Sequence, residues 1–136
     1  MTRESRLTAA VLLLSFLGVM FGGSVLTEKL VSATSYSGHP LHQDFWRAGH
    51  AHAALFLLLA LVCLPWIDAA ALGSRMRWFA RIAISSASIT FPLAFFLGAP
   101  DPQTIEATMA IWLLAPGAVL AASGIVVLAV GLLRAS

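Results

Sequence analysis

The sequence predicts an all-α membrane protein, a bundle of four transmembrane helices. Three observations predict it. Of the 136 residues, 60% are hydrophobic and only 10% charged, which is too apolar for a soluble domain. Four apolar stretches, 7–26, 49–67, 78–98 and 109–133, are each long enough to cross about 30 Å of hydrocarbon as a helix. The connections between them leave no room for a second domain, so residues 1–136 read as one integral membrane unit.

The first stretch follows Arg3 and Arg6, and Val31-Ser32-Ala33 would pass as a signal cleavage site. Its apolar run of about 20 residues exceeds the 7–15 of a signal core, so it is expected to stay as a membrane helix. Arg3, Arg6, Arg75, Arg77, Arg81 and Arg134 fall on one side of the four-pass arrangement, against Lys29 and Arg47 on the other. The basic excess predicts that both termini are cytoplasmic, in a bacterial-type inner (cell) membrane. Trp46 and Trp112 then mark the outer interface and Trp66 and Trp78 the inner one. The net charge of +2 is therefore topology rather than a nucleic-acid footprint.

Within the helices, Gly18 and Gly22 form a small-xxx-small pair. Ser85, Ser86, Ala87 and Ser88 in the third helix, with Gly117, Ala121, Ala122 and Gly124 in the fourth, predict close backbone approach. Pro92 and Pro116 should interrupt the third and fourth helices. The lone Cys63, inside the second helix, excludes an intrachain disulfide and a thiolate cluster and reads as a small core residue.

All four histidines and four of the six carboxylates are expected on one face of the membrane. The first loop, about 27–48, holds Tyr36, His39, His42 and Asp44, and the third holds Asp101 and Glu106. The remaining two histidines stand in "FWRAGHAHAA", residues 45–54, where ionisable groups enter an apolar span and a functional role is the default expectation. At 100° per residue His50 and His52 project about 200° apart, so a regular helix cannot bring both to one metal ion. On the His50 face follow Ala53, Ala54 and Leu57, small then apolar, which would leave room for a flat macrocycle, whereas His52 lies over Leu55, Phe56 and Leu59. Arg47, one turn before His50, could pair with a carboxylate or propionate. An imidazole, apolar walls and a rim cation are what a membrane haem needs. Two alternatives stand beside this. The outer residues His39, His42, Asp44, His50 and His52, with Asp101 or Glu106, could hold zinc, copper or iron. The chain could also be a non-catalytic small subunit that packs into a larger membrane complex through its glycine and serine faces.

Trp46-Arg47-Ala48-Gly49-His50, at the head of the second of four helices, resembles the styrene oxide isomerases, whose corresponding stretch has tryptophan, alanine, arginine, alanine and histidine with the same Trp-to-His spacing. The resemblance is specific over about ten residues and extends over the chain as a four-helix layout. It implies haem b with His50 as axial ligand to iron, and Trp46, Arg47, Ala53 and Ala54 around the ring. It also implies a homotrimer with haem at subunit interfaces, and ferric iron acting as a Lewis acid that isomerises a small apolar epoxide to an aldehyde. The sequence departs from the family in two places. Phe56 stands where the family has a polar asparagine, and Phe95-Phe96 where it has a tyrosine, both of which help to place the epoxide. "GHAH" also resembles helix starts in haem-copper oxidase and nitric oxide reductase subunits, which need further histidines on other helices, and the third and fourth helices here contain none.

Overall fold

A computed structural model describes residues 1–32, 40–100 and 106–135. It contains α1 (Arg3–Val31), α2 (Pro40–Ala69), α3 (Ser74–Gly98) and α4 (Leu114–Leu133), the last entered through a 3-10 stretch, Met109–Leu113. Each is long and apolar enough to span a membrane, the 3-10 stretch counting with α4, and no strand occurs among the described residues. The chain is a multi-pass, all-α membrane protein.

The helices outrun their apolar cores. α2 begins at Pro40, nine residues before the expected start at Gly49, so part of the expected first loop is helical. Pro40 sits at the first helical position, where its fixed φ and missing N–H are tolerated. At 1.5 Å per residue the 30 residues of α2 reach about 45 Å, so one end stands beyond the hydrocarbon. α1 starts at Arg3, capped by the Thr2 hydroxyl, which accepts from the Ser5 N–H at 3.2 Å. Pro65 and Pro92 lie inside α2 and α3, whereas Pro116 falls in the first turn of α4, just after the 3-10 stretch. The break expected of Pro116 is therefore at the helix start rather than in mid-span.

α3 is the central element, packed on α2 along one side and on α4 along the other, while α1 leans on α2. Leu57, Ala60, Leu64 and Ile67 of α2 meet Ala80 and Ile84 of α3 and Leu128 of α4 in the buried core. The α3–α4 seam is close because of glycines. A Cβ at Gly117 would lie 2.6 Å from the Thr90 hydroxyl, one at Gly124 would lie 2.9 Å from Ala83 and Ile84, and one at Gly131 would lie 2.6 Å from Leu72. Gly124→Leu is accordingly expected to lower stability by about 1–3 kcal/mol through overpacking, seen as a lower midpoint in thermal unfolding in detergent. The Gly18–Gly22 pair is divided: a Cβ at Gly18 would meet nothing within 4 Å, whereas one at Gly22 would stand 3.9 Å from His50 of α2, so only Gly22 meets another helix.

α1 is secured at one end by a buried polar clasp. The Asp68 carboxylate, at the end of α2, accepts from the Thr2 amide (2.7 Å), the Thr2 hydroxyl (2.9 Å), the Ser5 hydroxyl (2.7 Å) and Arg81 Nη2 (2.8 Å). Arg81 Nε donates to Ser5 at 2.9 Å and Nη2 also reaches Thr2 at 3.1 Å. The N–H of Ala71 donates to the Gly131 carbonyl at 2.9 Å, so both termini and the α2–α3 connection share one end of the bundle. The sequence places Arg81 among the basic flank of that end; it is 3% exposed and ion-paired, because it lies nearly two turns inside α3.

Candidate functional site

His50 and His52 diverge as their spacing requires. His52 turns toward α3, where its ring stacks on Phe91 (centroids 5.7 Å apart, planes 6° from parallel) and approaches Phe95 (4.8 Å) and Phe56 (6.0 Å). Its Nδ1 is 2.7 Å from the Ala48 carbonyl. A carbonyl only accepts, so Nδ1 carries the hydrogen and the ring is fixed in the α2–α3 seam. His42 is fixed in the same way, donating from Nδ1 to the Pro100 carbonyl at 2.8 Å and stacking on Trp46 at 5.5 Å, which ties the start of α2 to the end of α3.

His50 faces the opposite way, onto α1. Its ring lies against the bare backbone of Gly22 and Gly23: a Cβ at Gly23 would stand 3.1 Å from both Cε1 and Nε2, and one at Gly22 would stand 3.9 Å from Nδ1. Any larger residue at 23 would push the ring away. Neither ring nitrogen of His50 hydrogen-bonds to a described residue.

Two cavities meet at this ring. The larger, about 640 Å³, is a groove between α1 and α3 with α2 as its floor. Val11, Gly18 and Gly22 form one wall, His50, Ala53 and Leu57 the floor, and Ser85, Ile89, Pro92 and Phe96 the other wall, with Trp78 and Arg81 at the foot. The smaller, about 240 Å³ and open on one side, is lined by Phe21, Gly22, Val25, Leu26, Trp46, His50 and Phe96. Gly22, His50 and Phe96 line both cavities and so form the partition between them. The groove exists because α1 and α3 are joined at the clasp but diverge above it.

The structure thus brings together part of the expected site. His50 and Ala53 line the groove and Trp46 the smaller cavity, where its indole packs edge-on against Phe96 (5.6 Å) with Lys29 Nζ 5.8 Å from its ring. Ala54 lines neither cavity. Arg47 is exposed, 3.5 Å from Asp44 and 3.4 Å from Gln43 on its own helix, and lines neither cavity. At the two places where the sequence departs from the family, Phe56 and Phe95 pack around His52, while Phe96 reaches the partition. Tyr36, His39 and Asp101 lie outside the described residues, and among the described residues no three His, Cys, Asp or Glu side chains gather to hold a metal ion.

Gly23, Trp78 and Arg81 were missed as site residues. Arg81 carried a readable signal, since a charge inside the apolar stretch 78–98 has to face a partner or a cavity. Gly23 carried none, because its role depends on which helix His50 meets. Ser85 was read as a packing residue; it lies on the groove wall with its Oγ buried and without a hydrogen bond, whereas Ser86 and Ser88 bond back to their own helix. No protein family model, no curated protein and no solved structure matches this chain.

Proposed function

We propose that this chain is a haem b-binding membrane protein with His50 as the axial ligand, resembling the styrene oxide isomerases around Trp46–His50. The observation that carries the reading is the uncommitted imidazole of His50 between two apolar cavities, its edge against glycine backbone on α1. An imidazole held inside a membrane span without a hydrogen bond is costly, and a ligand to its nitrogen removes that cost.

The residues fit the group by their chemistry. One nitrogen donor stands among apolar and small side chains, and no second histidine and no methionine lines either cavity among the described residues. With His50 as the one nitrogen donor, a bound haem would be suited to binding a further small molecule rather than to carrying electrons. When bound, ferric haem would supply a Lewis acid for a small oxygen-bearing molecule such as an epoxide. The chain's own part is to present the imidazole, to exclude water with Phe96, Trp46 and Leu57, and to leave space at Gly18, Gly22 and Ala53. Arg47 is not part of this reading, because it is spent on Asp44 and Gln43. A homotrimer, as in the family it resembles, would cover the apolar surface that α1 and α4 present. The excess of arginines at the clasp end supports a cytoplasmic position for that end, in a bacterial-type cell membrane.

The test is an absorption spectrum of the chain purified in mild detergent after haem-supplemented expression, oxidised and then reduced. A Soret band with stoichiometric haem is the expected result. Colourless, folded protein overturns the reading and leaves a structural subunit.

A further inference from the structure

We propose that the foot of the groove is a separate site for a long-chain carboxylate, a single fatty acid drawn from the surrounding bilayer. The inference rests on Arg81 and not on His50, although both readings draw on the one groove and on Gly18. It starts from Arg81, whose side chain is almost entirely buried yet lines the groove. Nε and Nη2 are committed to Ser5, Thr2 and Asp68. Nη1 makes no hydrogen bond to any described residue, although both its hydrogens need acceptors at the edge of an apolar space. Trp78, also on the groove, lies 5.4 Å from the guanidinium carbon and walls it from the side.

The rest of the groove selects the tail. From Arg81 to Pro92 along α3 is eleven residues, about 16 Å, which is close to the hydrocarbon depth of one leaflet. A chain with its head at Arg81 therefore runs along α3 past Pro92, into the part of the groove that His50 and Phe96 also line. Above the clasp, α1 and α3 do not close over the groove, and its rim residues Val11, Ile82 and Ile89 are exposed on the surface that faces lipid, so entry is lateral. The two oxygens of a carboxylate suit a guanidinium N–H₂. Charge agrees: Arg3, Arg6, Arg75, Arg77, Arg81 and Arg134 share this end of the bundle with Glu4 and Asp68 as the acidic residues.

The experiment is binding of radiolabelled oleate to the full chain in nanodiscs of phosphatidylcholine. Saturable binding near one oleate per chain is expected, with methyl oleate and phosphatidylglycerol failing to compete. Arg81→Met should weaken it at least about tenfold, the factor expected for one charge-assisted hydrogen bond. Because that change also opens the clasp, Gly18→Phe serves as the second variant. Its Cβ enters open space, so the fold should stand by circular dichroism while the ring fills the groove and binding is lost. Equal competition by methyl oleate would overturn the carboxylate contact, equal competition by phosphatidylglycerol would overturn the single-chain assignment, and full binding by Gly18→Phe would overturn the location.

Discussion

Asp68→Ala is expected to cost about 3–5 kcal/mol, because it leaves Arg81 buried and uncompensated. The loss falls on α1 in particular. Thr2 and Ser5 lose the acceptor that holds them, and α1 has no extensive contact with α3 or α4 to replace it. Thermal unfolding in detergent should show a lower midpoint, and limited proteolysis should cut near the N-terminus while α2, α3 and α4 persist. Asp68→Asn keeps an acceptor oxygen but loses the charge, and should fall between the two. The double variant Asp68→Leu with Arg81→Met should be more stable than either single change, since the penalty is the stranded charge rather than the lost attraction. Wild-type melting of Asp68→Ala would show that the clasp contributes nothing.

The second large effect is on the pigment. With His50 as the axial ligand, His50→Ala should remove the Soret band almost completely, while His52→Ala should keep it. The two residues differ in commitment: the His52 ring is fixed by the Ala48 carbonyl and three phenyl rings, and the His50 ring is bonded to nothing described. His50→Gly in the presence of added imidazole should recover colour, because the smaller residue leaves the ligand's own space open. Gly23→Leu should displace the ring, shifting or bleaching the band without removing the histidine. A coloured His50→Ala protein, or a colourless His52→Ala protein that still folds, would move the ligand away from His50.

The four spans were legible because lipid removes every other way to satisfy a backbone, so about 20 apolar residues suffice to mark a helix. Their ends were less so. Hydropathy fades at Gly49, but the hydrogen-bond ladder of α2 continues back through polar residues to Pro40, whose place as a first-turn proline was a usable sign. The divergence of His50 and His52 followed from helical arithmetic alone, and the structure keeps it. Arg47 shows the limit of that arithmetic. Its distance along the helix allowed a role beside His50, but Asp44 and Gln43, three and four residues earlier, offered nearer partners. The groove itself could not be read, since it arises from the separation of two helices that are not neighbours in the chain. Gly18 and Gly22 carry the same pattern whether they pack a helix or line a gap, and only the fold decides.

The clasp also orders events in biogenesis. Ser5 is bonded to a residue 76 positions later in the chain, and at about 5–20 residues per second its partner is made some 4–15 s afterwards. Until then α1 has at most α2 and Asp68 beside it in the bilayer, which its nearly all-round apolar surface permits. The first helix to be synthesised is thus not locked when it forms, and the lock can close fully only once the third helix has delivered its arginine.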